Sequence, residues 1–178
     1  MKALEMLPLP RPGGHRHKPQ DVVAFWKASS GHWFDKHAGF DRTFRDRFLD
    51  LHMEAAARRH DDWMDTPSDG LALLILLDQF PRNAFRRTGH MYATDPLARH
   101  FAHQALAAGY SDQVEPDLRL FFCLPFAHSE DIGDQDISVK LNAELGQPWL
   151  EHAEGNRDII RTSCPGRLPT VSGCPNSI

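Results

Sequence analysis

Apolar positions along this chain recur at spacings of three and four between turn signals, the period of helices that pack one face. Val22, Val23, Phe25 and Trp26 mark a short helix from Pro19 to Ser29, and Trp33, Phe34 and Phe40 follow in a loop rich in Gly and His. From Asp41 the positions Phe44, Phe48, Leu51 and Ala55, with Asp and Arg between them, predict an amphipathic helix to about His60. Thr66-Pro67-Ser68-Asp69-Gly70 reads as a breaker. The run LALLILLDQF from Leu71 to Phe80 is apolar on every side, the mark of a helix surrounded by others. Asp95 as N-cap with Pro96 at the first helical position opens a helix carrying Leu97, Phe101, Ala105 and Leu106 to a stop at Gly109. Glu115-Pro116-Asp117 opens LRLFFCL, which ends near Pro125. Ile137, Val139, Leu141 and Leu145 mark a further helix closed by Gly146-Gln147-Pro148, and Trp149 to Ile160 supplies the last. No stretch alternates as a strand would. Short connections make sequential neighbours antiparallel, so the expected fold is all-α, a single domain of stacked antiparallel helical hairpins.

Composition narrows the function classes. With 178 residues, 41% hydrophobic and 25% charged, the chain fits one globular domain without a separate cofactor domain. A net charge of −4 offers no basic field for a polyanion, which argues against a nucleic-acid module. The longest apolar run, Leu71–Leu77, falls far short of the roughly 20 residues that cross a bilayer, so no membrane partner is expected. Cys123, Cys164 and Cys174 are odd in number and lack zinc spacing, which indicates neither a disulfide scaffold nor a metal site. Residues 1–18 read as a flexible arm without a secretory apolar core, in a cytoplasmic protein. Residues 19–161 read as the helical domain and residues 162–178 as a divergent, disordered tail. His15-Arg16-His17 is taken as arm composition, and Trp26, Trp33 and Trp63 as core aromatics rather than a ligand groove. There is no Gly-rich phosphate loop, GxSxG or HExxH, and no cofactor is expected.

Two segments carry candidate chemistry. Asp78, Gln79, Arg82, Asn83 and Arg86 follow the apolar run directly, and Pro81 must kink or end the helix there. If Pro81 starts a new helical segment, Arg82, Asn83 and Arg86 share a face. Two guanidinium forks and two amides suit an anion or carbonyl group, while salt bridges between helices would use the same residues structurally. The second segment holds His128, Ser129, Glu130 and Asp131, with Asp134 and Gln135 behind. A carboxylate beside His128 would fix its tautomer for acid/base work, and a His with carboxylates also suits half of a divalent-cation site. The structural alternative makes Ser129 an N-cap with Glu130 and Asp131 in the first helical turn. Glu115 to Glu154 contains nine Asp/Glu against Arg119 and Lys140, so Arg82 or Arg86 is expected to pair across the core with Glu130 or Asp131 and line a polar pocket.

LALLILLDQFPRNAFR, then YATD and LPFAHSED, with an FW pair upstream and W..TP just before the first block, resembles the bacterial domain-of-unknown-function family 924 from about Asp21 to Arg161. The resemblance implies a helical fold of the tetratricopeptide-like superfamily and no established reaction. Its signature polar positions fall on Asp78, Gln79, Arg82, Asn83, Arg86, Asp95, His128, Ser129, Glu130, Asp131 and Gln135. Arg87 stands where the family usually has glycine, and after Arg161 the family's continuation gives way to TSCPGRLPTVSGCPNSI, as a shifted reading frame would produce. The reading placed first is a binding module for a peptide or small acidic ligand anchored by Arg82, Asn83 and Arg86, with Asp78, Gln79 and Gln135 beside them. The alternative is a small-molecule enzyme with His128 as general acid/base, Glu130 or Asp131 orienting it, and Arg82 or Arg86 stabilising negative charge. A third reading makes both segments interior scaffolding. Oligomeric state is not legible.

Overall fold

The structure is a computed structural model and describes residues 17–163. His15, Arg16, most of the expected arm, Cys164, Cys174 and nearly all of the tail lie outside the described residues. His17, at the end of that arm, lies against the Phe48 ring with centroids 5.0 Å apart.

Among the described residues eight α-helices form: α1 (Pro19–Ala28), α2 (Ala38–Ala56), α3 (Pro67–Leu74), α4 (Phe80–Ala84), α5 (Asp95–Ala107), α6 (Leu120–Ala127), α7 (Ile132–Leu145) and α8 (Trp149–Ser163). A π turn over Ile75–Gln79 joins α3 to α4, so these make one rod. There is no strand among the described residues. Every residue from Gly70 to Pro81 is buried, because α1 and α6 lie against α3, α2 lies against the π turn and α4, and α5 covers α3 and the π turn. That is why this rod is apolar on all sides whereas α2, with one face outward, alternates Phe with Asp and Arg. α7 packs on α6 and α8 on α7, extending the stack in chain order. No helix of the described residues is long and apolar enough to cross a membrane.

Aromatic rings fill the space between α1, α2 and the rod. Phe44 meets Trp26 at 5.4 Å, Phe25 at 5.4 Å and Phe80 at 5.1 Å between centroids, and Trp26 meets Phe121 edge-on at 5.3 Å. Such contacts add stabilisation beyond area burial, on the order of 0.5–1.5 kcal/mol each. Trp26 and Trp63 belong to this core. Cys123 is buried too, and burial, with the nearby Glu144 charge, pushes its thiol up to about 12, far from a working nucleophile.

Several helix boundaries differ from the sequence reading: α2 starts at Ala38, taking in Phe40 from the expected loop, and ends at Ala56 rather than near His60. Thr66-Pro67-Ser68-Asp69-Gly70 is the first turn of α3 and not a breaker: Thr66 caps it, accepting from the Asp69 N–H at 3.2 Å, with Pro67 at N1. A Cβ at Gly70 would sit 3.3 Å from Met64 Sδ and 3.4 Å from the Tyr110 ring, so a larger residue there requires those side chains to give by a few tenths of an ångström. Asp95 is the first residue of α5 rather than its cap, which falls on Thr94. Pro125 lies inside α6, which continues to Ala127. Arg87 sits at φ +66°, the left-handed region where glycine costs least. Arg87→Gly is expected to raise stability by about 0.5–1 kcal/mol, the strain relieved less the added freedom of the unfolded chain, read as a higher urea midpoint.

Candidate functional site

The site is built on the π turn. Pro81 has no N–H, so it cannot donate to Leu77 or Leu76, the carbonyls four and five residues back. The Phe80 N–H reaches the Ile75 carbonyl, and the turn widens. Side chains take the carbonyls that Pro81 leaves open: His52 Nδ1–H donates to Leu76 at 2.9 Å and Thr94 Oγ1 to Leu77 at 2.6 Å. The next two carbonyls also accept side-chain donors, Arg82 Nη1 on Asp78 at 3.1 Å and Asn83 Nδ2 on Gln79 at 2.8 Å. A helix break inside a core is thus closed by polar groups from α2, α4 and the residue before α5.

Asp78 projects from this turn with its side chain only 1% exposed. Its carboxylate accepts from Gln79 Nε2 at 2.6 Å and from His128 Nδ1 at 2.8 Å, with Arg82 Nη1 at 3.5 Å. Burial alone would push the Asp78 carboxyl up. The His128 imidazole and the Arg82 guanidinium, with the Gln79 amide bond, outweigh that and hold it below the usual carboxylate range. A carboxylate can only accept, so Nδ1 of His128 carries a proton, and in the neutral ring the lone pair is on Nε2. His128 is the C-cap of α6, its side chain is 27% exposed, and its Nε2 has no hydrogen-bond partner among the described residues.

Arg82 is bidentate to Asp95, at 2.8 and 3.1 Å, and its guanidinium lies 6.0 Å from the Tyr92 ring centroid. Arg86 reaches Asp41 on α2 at 2.7 Å and Asn83 Oδ1 at 2.7 Å. The expected pairing of Arg82 or Arg86 with Glu130 or Asp131 does not form. Glu130 is exposed, and Asp131 instead caps α7, accepting from the Gly133 and Asp134 N–H groups at 2.8 and 3.2 Å. Nor is Ser129 the N-cap: its hydroxyl accepts from the Asp131 N–H and donates to Asp134 at 2.7 Å. Half-buried guanidinium groups are matched best by partners that are themselves shielded, and Asp95 and Asp41 meet that condition where the solvated carboxylates of the α6–α7 link do not.

The sequence-selected residues therefore divide. Asp78, Gln79, Arg82, Asn83 and His128 converge on the π turn, and Arg86 lies at its edge. Gln135 instead ties off the end of α6, its Nε2 donating to Ser129 at 2.6 Å and Ala127 at 3.0 Å. Asp41, His52, His90 and Thr94 belong to the network although sequence reasoning passed over them; among these only Thr94, beside Asp95-Pro96, sits near a recognisable signal. His52 Nε2 faces His90 Nε2 at 3.4 Å.

His52 supplies a pH prediction. Burial pushes its imidazole below the ordinary 6.5, the Leu76 carbonyl partly opposes this, and His90 adds to the lowering. The folded state holds His52 neutral while the unfolded chain takes up the proton first, so its contribution is complete above pH 6.5 and is lost as pH falls toward the folded value. Asp78, also lowered, contributes fully above its ordinary 3.8 and loses its share only as pH falls through its still lower folded value. The urea midpoint should therefore decline first below pH 6.5, and His52→Gln should flatten that first decline while leaving the more acidic one.

The model of the family described as bacterial protein of unknown function (DUF924) matches residues 22–169, eight residues beyond Arg161. A solved structure of a protein of unknown function from Agrobacterium tumefaciens is 53% identical, with a TM-score of 0.79, over 80% of this chain and 82% of that one. No curated protein matches the chain. The family match takes in every residue of the π-turn network, and on it the chain belongs to the bacterial proteins of unknown function grouped as DUF924.

Proposed function

We propose that this protein acts on a small polar molecule at the surface where His128 meets solvent, with His128 as general acid/base and Asp78 as the residue that positions it. The observation that carries this reading is the 2.8 Å bond from His128 Nδ1 to a buried carboxylate, with Nε2 left without a partner among the described residues. A buried, charged orienting carboxylate fixes the tautomer and stabilises the imidazolium formed when Nε2 takes a proton from the bound molecule; passing that proton on leaves the N–H electron pair on Nε2 as its lone pair. The earlier assignment of Glu130 or Asp131 to orientation passes to Asp78. Arg82 and Arg86 lose the role of free anion anchors, because Asp95 and Asp41 already match their charge. This lowers the standing of a module for acidic ligands relative to an enzyme. A cytoplasmic location and a tetratricopeptide-like stacking of hairpins form part of the same proposal, the second supported by the chain-order packing of α5 through α8.

The test is a thermal-shift screen of the purified protein against a library of polar metabolites, followed by NMR detection of turnover for each stabilising compound. His128→Gln should keep binding and reduce turnover by about 100-fold or more, the scale of a removed general acid/base. Asp78→Asn, where it folds, should lower kcat and alter its pH profile with less effect on KM. A stabilising compound that is never turned over would return the site to a binding role. Unchanged turnover in His128→Gln would remove the histidine from the chemistry.

A further inference from the structure

We propose that a second site, at the opposite end of α6 from His128, binds an organic cation between Trp33 and Trp149. A cleft of about 360 Å³ opens there, lined by Trp33, Asp117, Arg119, Leu120, Glu144 and Trp149, a volume within the range of small-molecule sites. α6 begins at Leu120 and is capped by His128, so about 12 Å of helix separates this cleft from the acid/base dyad.

Its aromatic wall is held in place from behind. Trp33 is stacked on Trp26 at 5.9 Å, meets Phe121 edge-on at 4.8 Å, and donates its indole N–H to the Trp26 carbonyl at 2.7 Å. Phe34 bridges the two walls, 6.5 Å from Trp33 and 5.4 Å from Trp149, and stays 58% exposed. Aromatic rings that remain partly open at a cleft offer π faces to a cation. The charges agree in sign. Asp117 and Glu144 are exposed carboxylates with no ion-pair partner among the described residues, whereas the Arg119 guanidinium is turned toward Asp112, 3.7 Å away. Apart from Trp33, the cleft is lined from the acidic stretch Glu115–Glu154, which carries nine carboxylates against Arg119 and Lys140. Rigid indoles beside unpaired carboxylates are the chemistry that recognises an ammonium or guanidinium group.

The test is calorimetric titration of the full-length protein with benzyltrimethylammonium, which has no titrating proton, with agmatine, and with benzoate as the anion of similar size. Both cations should bind saturably at one site and benzoate should not. Asp117→Asn combined with Glu144→Gln, two exposed positions, should weaken the cations by about tenfold, as should Trp149→Leu. His128→Gln should leave them unchanged, which separates this site from the dyad. Nα-acetyl-trimethyllysine distinguishes the sources: tighter binding than benzyltrimethylammonium indicates a side chain of a peptide, and weaker binding a free amine. Absence of saturable cation binding, equal affinity in the double carboxylate variant, or preference for benzoate would each overturn the proposal. The double variant keeps the test decisive even if Trp149→Leu does not fold.

Discussion

Asp78→Ala is expected to lower the unfolding free energy by about 3–5 kcal/mol, the scale found when one member of a buried charge network is removed. The cost has two parts. Alanine leaves His128 Nδ1 and Gln79 Nε2 without their acceptor, and it withdraws one of the two carboxylates near Arg82 while the other, Asp95, remains bonded to it. It also removes the depressed carboxyl, so the acid-limb loss of stability that Asp78 supplies should shrink in the same variant. Asp78→Asn preserves shape and an acceptor oxygen, and should cost clearly less. Urea unfolding of both variants at neutral and acidic pH checks the order. Equal stability of Asp78→Ala and the native protein would mean that the π turn does not depend on this carboxylate. His128→Gln, partly exposed and at a helix end, should be far milder. That contrast separates loss of fold from loss of chemistry when activity is measured.

Phe80→Ala should destabilise by a similar amount, about 3–5 kcal/mol, for an unrelated reason. Phe80 is fully buried at the junction of the π turn and α4, with its ring 5.1 Å from Phe44, 4.8 Å from His52 and 6.0 Å from Phe85. Truncation leaves a cavity that rigid neighbours on α2 cannot close, and it frees the His52 ring that holds the Leu76 carbonyl. Since small domains are stable by only about 5–15 kcal/mol, the variant should be poorly folded at 37 °C. Thermal unfolding followed by far-UV circular dichroism reads this directly. Phe80→Leu, which retains most of the volume, should recover more than half of the loss. A Phe80→Ala cost under about 1 kcal/mol would show that the core collapses into the space.

Helix class and order follow from the chain alone, because each helix must present one apolar stripe to a neighbour, and the stripe is written at fixed spacing. Phe44, Phe48, Leu51 and Ala55 all face inward, as their spacing requires, and the apolar stretch from Leu71 is the rod that others surround. Capping chemistry is legible where one residue type does one job, whereas Thr66-Pro67 is ambiguous in the letters, since the same residues that interrupt a chain also start a helix. Partnership between distant charges was not legible. Arg82 and Arg86 are recognisable as a pair of cations, but whether each meets Asp95, Asp41, Glu130 or Asp131 depends on which carboxylate the packing shields, and residue spacing holds no information on that. The same limit hid His52 and Thr94, ordinary polar residues until Pro81 opens carbonyls for them to fill. The residue pattern alone implies an all-α chain with a polar break after its central helix. That the break is a π turn, and that Asp78 and His128 meet across 50 residues of chain, comes from the packing, because burial selects hydrogen-bond partners by shared exclusion from water, not by proximity along the backbone.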